Sequence, residues 1–351
     1  MDKIDKDRND KYDNGEEMQM KITAGLGSID EYERFVHAGA DEFFCGYVPY
    51  EWTKKYGTVM PLNRREVLSY NVQIGSLGEL EILAAMVKEY GKPVHLTFNA
   101  LYYIPEQYPE IAEMIKKCMR IGFDSYIIAD PALILYLRKQ HIDCEIHLSG
   151  ETGEVNSCMI DFFQQFSLKR VIFHRKNNFD DMKAVIDAEK SHGGLRSRTE
   201  FEAFILNEMC QFAGAFCNSF HCDELGHLCR VSYWLEPLRE SRGDSSLRQL
   251  HPSPPAASPL TSLPHPPDLP DGYLCGATGC GLCALYRLRE IGITHLKLVG
   301  RGNYNDYMEQ DIRILRRAFT LLEQSTSEED FKDTLRRTLF SYKCSKVCYY
   351  L

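Results

Sequence analysis

The sequence predicts a (β/α)8 barrel of the TIM type, interrupted near its end by a segment rich in proline and serine. From Met20 onward, short apolar runs alternate with amphipathic stretches of helical length. Strands that are apolar on both faces and alternate with helices are typical of parallel β/α units. Eight or nine such units in about 280 residues fit a closed barrel better than an open sheet.

The predicted strands are Met20–Ala24, Glu42–Gly46, Val72–Ile74, Val94–Asn99, Ser125–Ala129, Glu145–Leu148, Arg170–His174, Phe201–Leu206 and His295–Val299. The predicted helices are Ser28–Ala38, Ser76–Tyr90, Tyr108–Ile121, Pro131–Gln140, Val155–Phe166, Phe179–Ser191, Leu282–Ile291 and Tyr304–Glu323. We expect Val72–Ile74 to lie outside the barrel. Ser28 with Glu31 predicts a capping box at the start of the first helix, and Gly39 and Gly91 predict C-caps.

The domain prediction is one barrel, residues 19–323, between a charged tail 1–18 and an extension 324–351. The tail consists mostly of Asp, Lys, Glu and Asn and lacks the apolar core of a signal peptide. Within the barrel, residues 241–271 contain eight prolines. Such a composition buries too little apolar surface to repay ordering, so we expect a mobile insertion and not a second domain.

The charge and the cysteine content of the chain exclude some classes of function and predict where the protein works. A net charge of −9 and a pI near 5.7 exclude a generic polyanion binder, although RNA could still be a specific substrate bound through a local patch. No stretch approaches the ~20 apolar residues of a membrane span. Without an export signal we expect a cytoplasmic protein, whose thirteen cysteines stay reduced.

Seven of those cysteines lie between positions 210 and 283. They are Cys210, Cys217, Cys222, Cys229, Cys275, Cys280 and Cys283. Four converging thiolates suit an iron–sulfur cluster or zinc, and the plain alternative is that each cysteine is a buried small hydrophobic residue. Zinc ribbons typically pair two C-x2-C knuckles, and in this stretch only Cys280 and Cys283 have that spacing, which favours a cluster. Cys210 follows a predicted strand at the end of the barrel where barrel enzymes keep their chemistry.

Several segments occur in a characteristic order: HAGADEFFCGY, VHLTFNALYY, FDSYIIADPALI, IHLSGETGEVN, KRVIFHR, FEAFILNEMCQFAGAFC and GITHLKLVGR. In these segments, from about Met20 to Glu323, the chain resembles the collagenase-like peptidase family U32. The resemblance implies a barrel and a four-iron four-sulfur (4Fe–4S) cluster held by four cysteines. It also implies oxygen-independent hydroxylation of ubiquinone precursors or of tRNA and rRNA bases, with prephenate implicated as hydroxyl donor, although other members are described as proteases.

By position, the resemblance assigns the cluster to Cys210, Cys217, Cys229 and Cys283. Cys280 and Cys275 are alternatives for the fourth ligand, and the roles of Cys222, Cys344 and Cys348 stay open. We expect the last two to cap a helix, although they could donate a ligand or form a second site.

The chain departs from the family at three strand ends, which leaves the substrate and reaction open. The family's Gln after the fifth strand is missing from Ser149-Gly150-Glu151, its Arg-Glu after the sixth is Arg175-Lys176, and its His-Gly before the first ligand is Asn207-Glu208.

The predicted catalytic residues are Glu151, His174, Arg175 and Glu208, which follow successive strands. Arg301, after the last strand, is either an anion-binding residue or part of a salt bridge that closes the barrel. Several polar residues at strand ends also have plainer explanations: packing for His147 and for His174 itself, and a helix N-cap for Asp130. Asn99 belongs to the same set of strand-end residues.

Three functions are compatible with these residues. The favoured one is iron–sulfur-dependent, oxygen-independent hydroxylation of an RNA base or of a quinone-type or aromatic small molecule, and an anionic substrate would suit Arg175, Lys176 and Arg301. A peptidase is supported by the family name alone, because neither H-E-x-x-H nor G-x-S-x-G occurs. The third is a non-catalytic metal-binding scaffold or sensor. A homologous protein partner is also conceivable, because some family members form heterodimers.

Overall fold

The computed structural model describes residues 19–66, 72–153, 156–193, 199–210, 217, 273–302, 304–340 and 344–350. The predicted tail 1–18, the insertion 241–271, Cys222 and Cys229 lie outside the described residues. The strands are β1 (Lys21–Leu26), β2 (Glu42–Tyr47), β3 (Gln73–Ile74), β4 (Val94–Phe98), β5 (Ser125–Ile128), β6 (Glu145–Leu148), β7 (Leu168–Ile172), β8 (Glu200–Leu206) and β9 (His295–Leu298). The helices are α1 (Asp30–Ala38), α2 (Tyr50–Tyr56), α3 (Leu77–Tyr90), α4 (Gln107–Ile121), α5 (Pro131–Lys139), α6 (Ser157–Phe163), α7 (Phe179–Gly193), α8 (Leu285–Ile291), α9 (Asn305–Gln324) and α10 (Glu328–Leu339).

Eight of the strands in the described part of the chain form a closed parallel barrel. Its order is β1, β2, β4, β5, β6, β7, β8, β9, and β9 pairs again with β1. Thr23 lies opposite Glu42 on one side of β1, and Lys21 lies opposite His295 on the other. The two-residue β3 pairs with β2 outside this ring, as expected for Val72–Ile74. The predicted (β/α)8 barrel is therefore confirmed.

Local sequence signals set several helix ends. Gly39 and Gly91 end α1 and α3 with φ of 111° and 68°, a left-handed conformation that glycine adopts without strain. Both C-caps were predicted. At the start of α3, Ser76 and Glu79 form a reciprocal capping box.

The capping box predicted at Ser28 and Glu31 is wrong. Helix α1 begins at Asp30, with Ile29 at the N-cap and no side-chain cap. Glu31 is therefore the second helical residue, one position too early for the box. Its carboxylate instead accepts a hydrogen bond from the Gly27 N–H at 2.7 Å.

Alternate strand residues face opposite sides of the barrel wall. Outward-facing residues, such as Ile22, Leu96 and Ile146, are fully buried under the helices in the main hydrophobic core. The inward faces differ from the apolar faces that the sequence predicted. Near the amino ends of the strands they are charged. Nearer the carboxyl ends they carry a second apolar cluster, formed by Phe44, Ile127, Ile172, Phe204 and Tyr349.

Arg170 is the centre of the charged interior. Its guanidinium lies 2.8 Å from carboxylate oxygens of both Glu42 and Glu202, and 2.7 Å from Glu200. Lys297 pairs with the other oxygen of Glu202 at 2.7 Å. We call these five residues the interior network. Burying charges is costly unless they are paired, and here each one has a partner.

The surroundings of the interior network fix its protonation. Burial alone would raise the pKa of Glu42, but hydrogen bonds from His295 and His95 and the charge of Arg170 hold it far below its usual range. Burial also raises the pKa of Glu202, yet Lys297 and Arg170 bring it down to about 2. The carboxylates therefore stay ionised at neutral pH.

The extension 324–351 contains a helix that the sequence did not predict. Helix α10 begins after Ser327, whose hydroxyl accepts a hydrogen bond from the Asp330 N–H, and its Phe331 and Leu335 are fully buried in the main core. Cys344 and Cys348 do not cap it, because Phe340 occupies the C-cap. None of the helices in the described part of the chain is both long and apolar enough to cross a membrane.

Candidate active site at the barrel mouth

The carboxyl ends of the eight strands form one rim, here called the barrel mouth. Parallel strands of a barrel end on the same side, so the residues that follow them gather there. Its ionisable residues in the described part of the chain include Arg64 and Arg65 after α2, Glu151 after β6, His174 and Arg175 after β7, Glu208 after β8 and Arg301 after β9. All four predicted catalytic residues and Arg301 belong to this set.

Glu151 is held by Arg64. Ser149 follows β6 and caps a 3₁₀ turn over Gly150–Thr152, which presents the Glu151 carboxylate. One carboxylate oxygen lies 3.3 Å from Nε of Arg64, whose Nη2 donates to the Cys217 carbonyl at 2.7 Å. The glutamate is thus linked to the backbone of a predicted cluster ligand.

His174 is neutral at pH 7 because burial lowers its pKa to about 4. Its Nδ1 accepts a hydrogen bond from the Lys176 N–H at 3.2 Å, which assigns the proton to Nε2. That Nε2 has no hydrogen-bond partner among the described residues. A buried, unsatisfied N–H is costly, so this atom is suited to donate to a ligand.

Arg175 lies over the Phe204 ring of the apolar cluster, with its guanidinium carbon 4.1 Å from the ring centroid. The residue is only 9% exposed. Burial lowers its pKa, but the nearby Tyr349, Glu151 and Cys210 outweigh that effect, so the net pKa is raised and the side chain stays charged. Within the described ranges no carboxylate lies within 4 Å of it.

Arg301 crosses the top of the barrel interior. It donates to Thr97 Oγ1 at 3.3 Å and to the Arg65 carbonyl at 3.0 Å. Gly46 lies directly beneath, where a Cβ atom would overlap Nη1 of Arg301. Burial, and next the charge of Arg65, lower its pKa to about 10, so it remains a cation at neutral pH. The alternative of a barrel-closing salt bridge is not seen, because no carboxylate of the described residues pairs with it.

Glu208 follows β8 on a strained turn. Asn207 and Glu208 have φ of 71° and 47°, a region that costs non-glycine residues roughly 1–2 kcal/mol each. The turn is held by hydrogen bonds from the Asn207 amide to Asp311 at 2.7 Å and from the Glu208 N–H to Thr278 at 3.0 Å. The Glu208 carboxylate pairs with Arg65 at 3.0 Å and remains 42% exposed.

The remaining polar residues from strand ends support the wall. His147 lies in the interior, with its ring 4.4 Å from that of His95, as the packing explanation expected. Asp130 caps α5 by accepting a hydrogen bond from the Ala132 N–H at 2.8 Å. Asn99 accepts one from the Arg64 N–H at 3.0 Å. Arg64 and Arg65 were missed because they follow a helix, although the adjacent pair in PLNRREV was a visible signal.

The cysteine segments meet at the mouth. Residues 205–209 run antiparallel to residues 278–281, through Met209 N–H to the Thr278 carbonyl at 2.7 Å and Gly281 N–H to the Ile205 carbonyl at 2.7 Å. This pairing brings the segment of Cys280 and Cys283 to the strand end that leads to Cys210.

The individual thiols differ in their surroundings. Cys217 is buried, and Cys210, Cys280 and Cys283 are half-buried. Cys275 is buried, and burial together with the nearby Asp311 raises the pKa of its thiol well above the usual value. Cys229 lies outside the described residues. Among the described residues, no three His, Cys, Asp or Glu side chains stand in a metal-binding arrangement.

The donor set nevertheless has the chemistry of a thiolate-bound cluster, because cysteine thiolates are the usual ligands of iron–sulfur clusters. Thiols from two paired segments lie at the mouth, and the Arg175 charge is close enough to interact with Cys210. A cation stabilises thiolates and the negative charge of a cluster.

Known proteins place the chain in a family. The model of peptidase family U32 matches residues 27–350. The chain belongs to this family. One curated relative is tRNA hydroxylation protein P1 of Bacillus subtilis, which is 23% identical over 65% of this chain and 49% of its own length. Another is tRNA hydroxylation protein P of Escherichia coli, which is 21% identical over 91% of this chain and 71% of its own length. The chain thus spans about half of the first relative. A solved U32 peptidase has a TM-score of 0.45 at 11% identity, covering 84% of this chain and 97% of its own.

Proposed function

We propose that this U32-family chain takes part in oxygen-independent hydroxylation of an RNA base. The observation that carries the proposal is the charge of the barrel mouth, considered together with the relatives that are named for tRNA hydroxylation. Of the mouth residues described above, four are arginines, and the carboxylates of Glu151 and Glu208 pair with two of them, in a chain whose net charge is −9. The mouth is the local cationic patch that RNA or another anion would need.

Two of the arginines provide the anion site in this proposal. Arg175 and Arg301 are both buried and charged, and no carboxylate of the described residues pairs with either of them. Isolated buried guanidinium groups are costly, so an anionic partner would stabilise both. The partner can be an anionic hydroxyl donor or a phosphate group of the RNA.

His174, Glu151 and Glu208 provide proton chemistry beside that anion. His174 is neutral and presents Nε2–H, so it can donate a hydrogen bond or a proton to an oxygen leaving or entering the site. Glu151 is fixed by Arg64, whereas Glu208 is partly exposed and can exchange protons with solvent. Together these groups provide the acid, the base and the charge that a hydroxyl transfer requires.

A 4Fe–4S cluster is the cofactor that we propose, held by Cys210, Cys217, Cys229 and one thiol of the 280–283 segment, preferably Cys283. When bound, it would transfer electrons between the substrate and the hydroxyl donor, or provide a Lewis-acidic iron if one iron lacks a thiolate. Zinc is the competing metal. Anaerobic reconstitution of the full chain, with iron, sulfide and zinc measured, separates them: about four iron and four sulfide per chain, lost in C210A, support the cluster, and zinc alone overturns it.

The reaction is tested in cells. Nucleosides from tRNA and rRNA of a strain lacking this gene are compared by mass spectrometry with those of the complemented strain. We expect a nucleoside in the deletion strain that is lighter by one oxygen atom. Unchanged nucleosides contradict the proposal. Gelatin cleavage by the purified chain, abolished by R175Q, would instead support a peptidase.

A further inference from the structure

The segment 344–350 returns to the barrel mouth and places two adjacent tyrosines there. Its backbone is fixed by hydrogen bonds from the Cys280 N–H to the Val347 carbonyl at 2.8 Å and from the Tyr349 N–H to the Cys280 carbonyl at 2.9 Å. These bonds form a parallel bridge beside the antiparallel pair of Leu206 and Cys280. The segment is therefore tied to the mouth through the backbone of Cys280.

The glycines on either side of Cys280 make room for the two rings. A Cβ atom on Gly279 would overlap the Tyr349 ring, and one on Gly281 would lie 3.0 Å from the Tyr350 ring. Only glycine fits at Gly279 without moving a buried aromatic side chain. The two glycines of the sequence GCG thus leave the space that the rings of Tyr349 and Tyr350 occupy.

The two hydroxyl groups lie in opposite environments. Tyr350 donates to the Phe204 carbonyl at 2.6 Å, so its hydroxyl is satisfied within the fold. Tyr349, which is 8% exposed, packs its ring in the apolar cluster with Phe44 and Ile172. Its hydroxyl lies beside Arg175 but completes no hydrogen bond of good geometry among the described residues.

A buried hydroxyl without a good partner is rare in folded proteins and usually has a reason. Burial raises the pKa of Tyr349, more than the nearby Arg175 lowers it, so the hydroxyl keeps its proton and is a donor. The adjacent Arg175 also has an unpartnered donor, Nε, among the described residues. Two buried donors on neighbouring side chains, one of them cationic, match the oxygens of an anion.

We propose that Tyr349 is a substrate-contacting residue, whose hydroxyl and the Arg175 guanidinium together bind one oxyanion, a carboxylate or a phosphate. This inference rests on the proposed anion site of the mouth and adds a residue outside the positions that the family resemblance assigned. The Tyr349 side chain also closes the apolar floor, so the anion would be attached to a group that lies against aromatic rings.

The adjacent tyrosines provide a matched pair of variants, Y349F and Y350F. Inorganic phosphate and benzoate are titrated into the full chain by calorimetry, and thermal unfolding is measured without ligand. For Y349F we expect at least about tenfold weaker binding of the preferred anion, the loss typical of one hydrogen bond to a charged group, with no loss of thermal stability. For Y350F we expect unchanged affinity and a lower unfolding temperature, because the Phe204 carbonyl loses its donor.

The outcomes separate this inference from the proposed function. A preference for benzoate identifies the bound oxyanion as a carboxylate, and a preference for phosphate identifies it as a phosphate group. Either result supports joint binding by Tyr349 and Arg175 when Y349F weakens the binding of that anion. Equal affinity in wild type and Y349F overturns the role of Tyr349 and leaves the proposed hydroxylation standing. Wild type that binds neither anion overturns the anion site itself. Normal anion binding with unchanged cellular nucleosides overturns the hydroxylation alone.

Discussion

Replacing Arg170 with methionine tests whether the interior network holds the barrel together. Methionine fills much of the space of the arginine stem without its charge. The Arg170 side chain is 2% exposed and lies within 2.8 Å of carboxylate oxygens of Glu42, Glu200 and Glu202. R170M therefore leaves three carboxylates without their shared cation.

The expected loss follows from this geometry. Removing one partner of a buried ion pair costs about 3–5 kcal/mol, because the other charge stays buried and unpaired. Since Arg170 serves three carboxylates, we expect the upper end of that range, about 4–5 kcal/mol. Domains unfold with about 5–15 kcal/mol, so R170M should be close to unfolding.

Urea unfolding, followed by circular dichroism at neutral pH, measures the loss. The matched control is K183M, which breaks the exposed Lys183–Asp187 pair of α7 and should cost less than about 0.5 kcal/mol. The folded pKa of Glu202 is about 2, below its ordinary value of 4.5, so in wild type its ionised form adds stability above pH 4.5 that is lost as the pH falls. In R170M the buried carboxylates take up protons more readily. The difference in unfolding free energy between wild type and R170M should therefore shrink toward pH 5. A loss of unfolding free energy below about 1 kcal/mol, or a difference from wild type that does not change with pH, would refute the reasoning.

Two further substitutions test the mouth and the buried Glu66, which directly follows Arg65 in the chain. G46A should fold, because the atom that its Cβ overlaps is the flexible end of Arg301, but it should displace that guanidinium and weaken phosphate or benzoate binding about tenfold. The control is G78A, whose Cβ meets nothing within 4 Å and which should leave binding unchanged. Equal binding by G46A and wild type would contradict the placement of Arg301. Burial raises the pKa of Glu66 from 4.5 to about 7, so the folded state holds a proton that the unfolded chain releases above pH 4.5. Wild type therefore loses up to about 3 kcal/mol of stability as the pH rises from 4.5 to about 7. E66Q removes this loss, so its unfolding free energy relative to wild type should rise between pH 5 and 8; a constant difference would contradict the buried proton.

The barrel was predictable because its signal is repeated. Each β/α unit carries an apolar strand and an amphipathic helix, and the outward strand residues, such as Ile22 and Leu96, are the ones that repeat. The inward faces were predicted to be apolar, and their charges were missed. A single Glu or Arg in a short strand, such as Glu42 or Arg170, does not reveal which residue it pairs with. Pairing across the barrel joins residues far apart in the chain, as Arg170 and Glu42 are.

The candidate site was predictable only where it follows strands. Glu151, Arg175 and Arg301 were found because parallel strands end together. Arg64 and Tyr349 were missed, since the former follows a helix and the latter reaches the mouth through a segment bonded to Cys280. Such contacts depend on loop paths, for which the sequence carries no periodic signal.

The most direct measurement of the central claim is rescue of the tRNA nucleosides in a strain that lacks this gene. Strains carrying wild type, R175Q or the surface control R313Q are compared at equal protein levels by nucleoside mass spectrometry. Arg313 pairs only with Glu309 of its own helix among the described residues and lies on α9, away from the mouth. The account predicts that wild type and R313Q restore the oxygen-bearing nucleoside and that R175Q does not. Restoration by R175Q to the wild-type level would contradict it.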